Sequence, residues 1–121
     1  MKIRVEIPLR LPSLNEYIRE CRGNKYSGNL MKQQVERNIA FYINKLPKFE
    51  KAIRIDFEWV EENKKRDLDN ICFAKKFILD TLVKCEKIKN DNRKYVAGFR
   101  DDFSYAKESK VILNIYEVEE W

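Results

Sequence analysis

The sequence predicts an α+β domain: a mixed β-sheet of about four strands packed with two main helices, in the order β-α-β-α-β-β. Three observations carry this. Short stretches alternate apolar and charged residues, as half-buried strands do. Two longer stretches repeat apolar residues at three- and four-residue spacing, as amphipathic helices do. No linker, repeat or low-complexity tract divides the 121 residues, so residues 1–121 form one domain.

In the first strand, Lys2 to Leu9, Ile3, Val5 and Ile7 face one way and Lys2, Arg4 and Glu6 the other. Pro8 lies near its end, where a missing N–H is tolerated. Pro12-Ser13 begins a loop, and Leu14 to Arg22 has room for a short helical turn. Gly23-Asn24 and Ser27-Gly28-Asn29 mark a polar, basic loop. The first main helix is Leu30 to Leu46, with Met31, Val35, Ile39, Tyr42 and Leu46 on its apolar face, Asn29 as N-cap and Pro47 as terminator. Ala52 to Val60 alternates Ile53, Ile55, Phe57 and Trp59 against Arg54, Asp56 and Glu58, a second strand.

Glu61 to Arg66 is a charged loop. Asp69 or Asn70 then caps the second helix, which runs to about Lys84. Ile71, Phe73, Phe77, Ile78, Leu79, Leu82 and Val83 make this helix apolar all round. It is expected to be covered on several sides, with a partner chain as one cover. Glu86 to Lys94 is loop-like, Tyr95 to Phe99 a strand interrupted by Gly98, and Lys110 to Val118 a last strand.

Composition narrows the chemistry. There is no histidine, which excludes Ser-His-Asp and Cys-His nucleophile systems and the usual histidine-containing zinc sites. The three cysteines, Cys21, Cys72 and Cys85, are unclustered and too few for an all-cysteine tetrahedral site. They read as reduced thiols, with Cys72 and Cys85 buried. The net charge of +5, from 25 Lys+Arg against 20 Asp+Glu, suits a polyanion partner. The N-terminal residues mix apolar with charged side chains, unlike a signal peptide, and no apolar run approaches the roughly 20 residues of a membrane span. The expected location is cytoplasmic.

The most informative stretch is Lys64-Lys65-Arg66-Asp67-Leu68-Asp69-Asn70. Two aspartates at i and i+2 share a side of an extended backbone, and like charges so close need a compensating cation or a raised pKa. Mg²⁺ is one such cation, because it favours oxygen ligands and keeps waters for exchange. The basic run before the pair suits phosphates. On a continuous helix, Asp69, Lys76 and Asp80 fall within about 20° of one line, whereas Lys75 lies about 120° from Asp69, beside Leu79 and Leu82. A lysine on the aspartate side suits stabilisation of charge developing on a phosphate. Asp91, in Lys89-Asn90-Asp91-Asn92, lies on a loop that can return toward the pair.

Each feature also has an ordinary structural reading. Asp-X-Asp-Asn before a helix is a common N-cap. Lys76 and Asp80 are an i,i+4 pair, and Asp91 a turn residue. Arg19, Arg22, Lys25, Lys64, Lys65 and Arg66 are solvated cations unless a polyanion meets them. Tyr17 and Tyr26 read as packing residues before they read as stacking platforms for bases.

The ordered set is more specific than its parts. Pro12-Ser13-X-Asn15, a basic Tyr-containing loop, Arg66-Asp67-Leu68-Asp69-Asn70, an apolar helix with Lys and Asp, then Asn90-Asp91 resembles the RusA family of Holliday junction resolvases. The likeness runs from about Leu11 to Tyr105, is densest from Arg66 to Phe99, and is strongest to variants carried by phages and prophages. It implies a homodimeric, Mg²⁺-dependent endonuclease, with Mn²⁺ as a substitute ion, that cuts four-way DNA junctions in symmetric pairs without an organic cofactor. The family's paired aspartates match Asp67 and Asp69, its third aspartate Asp91, and its catalytic lysine Lys76. The segment from Asp69 to Asp80 is longer than in familiar members, which keeps Lys75 as an alternative. Asn90 stands where the family often has a further Asp.

The resemblance therefore implies catalytic Asp67, Asp69, Lys76 and Asp91, with metal ligands Asp67, Asp69 and Asp91. The DNA-binding residues would be Arg19, Arg22, Lys25, Lys64, Lys65 and Arg66. A nuclease for flaps or forks is the alternative within the same chemistry. A non-catalytic DNA-binding protein, whose aspartates merely cap a helix, is the alternative outside it.

Overall fold

A computed structural model describes residues 2–119. Its elements are β1 (Lys2–Ile7), α1 (Leu14–Gly23), α2 (Lys25–Ile43), β2 (Ile53–Glu61), α3 (Leu68–Cys72), α4 (Lys75–Lys84), β3 (Val96–Tyr105) and β4 (Lys110–Glu117). The four strands form one mixed sheet in the order β1-β4-β2-β3. β4 is antiparallel to both β1 and β2, while β2 and β3 are parallel. A parallel pair requires a crossover, and the segment carrying α3 and α4 supplies it. The expected α+β class and mixed sheet are observed; the short turn expected at Leu14 to Arg22 is the helix α1, and the second main helix is divided into α3 and α4.

One face of the sheet builds the core. Ile53, Ile55, Phe57 and Trp59 of β2, and Val111, Leu113 and Ile115 of β4, are buried with Ile39 and Ile43 of α2 and Phe77, Ile78 and Leu82 of α4. Each such side chain contributes about 1.5–3 kcal/mol relative to its exposed state. The apolar residues of α4 are thus consumed within one chain. The sheet and α2 are two of the covers expected for this helix.

The α1–α2 region departs from the expected loop. The Asn24 side chain accepts hydrogen bonds from the backbone N–H groups of Tyr26 and Ser27, at 2.8 and 2.9 Å, and starts α2 at Lys25 rather than Leu30. Gly28, which reads as a turn residue, lies within α2 because the helices touch there: a Cβ would come 2.5 Å from Cys21 Sγ. The helix ends at Ile43, before Leu46, whose position ahead of Pro47 disfavours helical backbone.

β3 runs through Gly98 to Tyr105 instead of ending at Phe99. Its pairing with β2 shifts register once, at Ala97, and then continues unbroken from Gly98 to Tyr105, so ladder bonds override the weak local pattern. Gly98 leaves room for its neighbour, since a Cβ would lie 2.6 Å from Arg54 Nη1. All three cysteines are free thiols. Cys72 and Cys85 are half-buried rather than buried, and burial raises the pKa of both. Among the described residues, no helix is long and apolar enough to cross a membrane.

Candidate active site

The aspartate pair is delivered by a clamp at the end of β2. Arg66 donates two hydrogen bonds to Glu61, both 2.8 Å, and one to the Leu11 carbonyl at 3.0 Å. Its Nη1 also lies 3.6 Å from Glu16. A guanidinium fits this bidentate, three-way role by its planar fork of donors. With its side chain 15% exposed, Arg66 is committed to the fold. Its assignment to DNA binding is therefore corrected: the charge is spent inside the protein.

The clamp ends the loop just before Asp67. Asp67 is the N-cap of α3, with extended backbone and no side-chain capping bond, and Asp69 lies in the first turn. The cap is thus two positions before Asp69 and three before Asn70, and the cap residue leaves its carboxylate unused. Both carboxylates are exposed. Among the described residues, neither makes a side-chain hydrogen bond or ion pair.

Asn70 ties this turn to the start of α1. Ser13 and Glu16 form a reciprocal capping box there, and the Asn70 side chain accepts from the Asn15 N–H at 3.1 Å. The two sequence pieces Pro12-Ser13-X-Asn15 and Arg66-Asp67-Leu68-Asp69-Asn70 are therefore one structural unit. Tyr17, Phe73 and Phe77 pack beneath it, with ring centroids 5.6–5.7 Å apart. Tyr17 serves packing.

The helix carrying the candidate lysines is not continuous with the aspartate turn. Between α3 and α4, Ala74 bonds Ile71, Lys76 bonds Phe73 and Phe77 bonds Ala74, all i→i+3 contacts. This tighter winding changes the angular phase, so the alignment of Asp69 with Lys76 expected on a single helix does not apply. Within α4 the two lysines separate clearly. Lys75 turns to the sheet, pairs with Asp101 and lies over the Phe57 and Phe99 rings at 5.5 and 4.8 Å. Asp101 also accepts from Trp59 Nε1 at 2.9 Å. Lys76 instead faces Asp80 Oδ1 at 3.1 Å and Asp91 Oδ2 at 3.8 Å, with 56% of its side chain exposed.

Asp91 reaches Lys76 because α4 ends abruptly. Glu86 has φ 59°, and the Glu86 and Lys87 N–H groups bond the Val83 and Leu82 carbonyls at 3.0 and 2.9 Å. That is a Schellman ending. It reverses the chain into the loop that carries Asp91.

Behind Lys76 runs a row of alternating charges. Asp80 Oδ2 pairs with Lys32 at 3.0 Å, and Lys32 pairs with Glu36 Oε2 at 2.8 Å. Glu36 also accepts from Lys84. The Lys32 contact has ion-pair distance without hydrogen-bond alignment, which leaves Glu36 Oε2 without a hydrogen bond. Burial works against the charged form of Asp80, but hydrogen bonds from Lys32 and Lys76 outweigh it and hold its pKa below the usual carboxylate value. Burial likewise opposes the charge on Lys32, and the facing carboxylates of Glu36 and Asp80 raise its pKa overall. Sequence reading missed Lys32, Glu36 and Lys84. Only the i,i+4 spacing of Lys32 and Glu36 hinted at them.

The remaining predicted cations are at the surface. Arg19, Arg22, Lys25, Lys64 and Lys65 are exposed. Lys25 lies 5.3 Å from the centroid of the exposed Tyr26 ring, and Lys64 the same distance from that of Tyr105. Among the described residues, no group of three or more Asp, Glu, Cys or His side chains is gathered tightly enough to hold a metal ion. Asp91 therefore does not join Asp67 and Asp69 as a three-carboxylate cage; it stands against Lys76. The pair by itself still fits the needs of Mg²⁺, which is commonly held by one or two carboxylates and keeps several waters. No protein-family model matches this sequence, and no curated protein matches it.

Proposed function

We propose that this chain is a Mg²⁺-dependent endonuclease of RusA type, acting as a homodimer on four-way and other branched DNA. The observation that carries the reading is the pair of exposed carboxylates at Asp67 and Asp69, without side-chain partners among the described residues and set on a turn clamped from β2 and α1. The ordered motif resemblance supports it, as does the absence of histidine, which this chemistry does not need.

Asp67 and Asp69 would hold the ion. When bound, Mg²⁺ supplies a water of lowered pKa and polarises the scissile phosphate. Lys76 neutralises charge developing on the phosphoryl oxygens. Asp91 faces the Lys76 ammonium and limits where it can point. Arg19, Arg22, Lys25, Lys64 and Lys65 grip backbone phosphates, which makes binding salt-dependent. Branch geometry and deformability, rather than base edges, set selectivity. A two-fold dimer presents two such sites, matching a junction nicked on two strands.

The test is an immobile four-way junction, a flap and a linear duplex, each incubated with protein and Mg²⁺ beside Asp69→Asn. Paired nicks confined to the junction and lost in Asp69→Asn are expected. Preferential cutting of the flap gives the broader nuclease. Binding without cutting gives a non-catalytic DNA-binding protein, and equal cutting by both proteins removes the carboxylate assignment.

A further inference from the structure

Lys76 has a long, mostly exposed side chain, and a group of this kind has no fixed position of its own. Here it is held from behind. Asp80 places one oxygen on Lys76 and the other on Lys32, so the carboxylate cannot turn without breaking one pair. Lys32 is in turn fixed by Glu36, whose side chain is only 4% exposed. Lys84 closes the far end on the other Glu36 oxygen. The order Lys84-Glu36-Lys32-Asp80-Lys76-Asp91 alternates in sign throughout and links α2 to α4 and to the loop after it. A buried carboxylate is costly to keep unless its partners are fixed. The row therefore reads as a rigid rail rather than as scattered surface pairs.

We propose that Lys32 and Asp80 are positioning residues for Lys76, and that buried Glu36 anchors them. The catalytic meaning of this inference rests on the nuclease reading; the geometric meaning does not. Asp80 sets the direction of the Lys76 ammonium. Lys32 sets the orientation of Asp80 from a different helix. Displacement of a catalytic group by about 1 Å can cost up to about 100-fold in rate, so losing either residue affects chemistry more than binding.

The experiment is single-turnover cleavage of the four-way junction at saturating protein. It compares wild type, Asp80→Asn, Lys32→Met and Lys32→Arg, each also made in a Lys76→Ala background. The expected result is a rate loss of about 10- to 100-fold for Asp80→Asn and Lys32→Met. Junction affinity should change less than about twofold, Lys32→Arg should recover most of the rate, and neither substitution should add a further loss once Lys76 is alanine. Rates within about twofold of wild type in folded variants overturn the proposal. So does an equal further loss in the Lys76→Ala background, which marks a merely structural effect. If Asp80→Asn fails to fold, the Lys32 series decides alone. If wild type cuts no branched DNA, the nuclease reading falls separately. The geometry is then read from the ¹³C-dimethyl signal of Lys76, assigned with Lys76→Arg. That signal should be restrained in wild type and mobile in Lys32→Met, and equal mobility in both overturns the positioning role.

Discussion

The side-chain oxygen of Asn70 accepts the Asn15 backbone N–H at 3.1 Å, across 55 residues of sequence. Asn15 is the second residue of α1, one of the positions whose N–H has no partner within the helix. Ser13 satisfies the next N–H, that of Glu16, at 3.2 Å. A residue of the aspartate turn thus completes the cap of a different helix, and the turn cannot move without uncapping α1.

Asn70→Ala should therefore destabilise the protein by about 1 kcal/mol, the usual value of a helix cap. Asn70→Asp keeps the accepting oxygen and should lose less than half of that. Urea unfolding of the three proteins measures it, and an unchanged midpoint for Asn70→Ala would show that the contact carries no weight.

Arg66 illustrates a second dependence. Removing it leaves Glu61 buried without its cation, so Arg66→Met should cost about 3 kcal/mol. The double variant Glu61→Met/Arg66→Met should recover most of this, since a matched apolar pair replaces a desolvated ionic one. DNA binding gives an independent readout. Lys64→Gln and Lys65→Gln should each lower the logarithmic salt slope of junction binding by about 1. The Glu61→Met/Arg66→Met double variant should leave the slope unchanged, because the Arg66 charge is already held by Glu61 and the Leu11 carbonyl.

The sequence was legible where a pattern is local and obscure where a residue's role is set by a distant partner. Ile53, Ile55, Phe57 and Trp59 alternate along one strand, and the structure buries all four. The side of α4 taken by Lys75 was also readable, from its place beside Leu79 and Leu82, and it lies against the sheet. Gly28 looks like a turn because its reason for being glycine, the Cys21 thiol on another helix, is not written nearby. Gly98 looks like a strand break for the same reason, with Arg54 as the hidden neighbour. Asp67 and Asp69 stood out by their spacing. Arg66 beside them looked equally available, yet Glu61 and Leu11 had already claimed it.

Glu86 offers a test of the α4 ending. Its φ of 59° is left-handed, a conformation that costs a non-glycine residue about 1 kcal/mol or slightly more. Glu86→Gly should stabilise the protein by somewhat less than that, because glycine also gains freedom in the unfolded chain. Thermal melting should show the gain, with the loop carrying Asp91 unaltered. Glu86→Val should do the opposite and lower the midpoint, since a β-branched residue tolerates this backbone poorly.

Acid stability tests the charge row without reference to activity. Lys32 and Lys76 hold Asp80 below its usual pKa despite burial. Hydrogen bonding from Arg10 does the same for Glu16, against burial and with help from Ser13. A carboxyl group with a depressed folded pKa binds fewer protons folded than unfolded. Its stabilisation is complete above the unfolded pKa, near 4 for both residue types, and is lost as pH falls through the folded value. Urea midpoints should therefore be level from about pH 7 to 5 for these two groups and decline below about pH 4. Asp80→Asn and Glu16→Gln should each be less stable than wild type at neutral pH and decline less steeply in acid, so that the curves converge as the folded carboxyl groups protonate. Parallel curves for wild type and Asp80→Asn would mean that Lys32 and Lys76 do not hold this carboxylate in its charged form, and that the row behind Lys76 is loose.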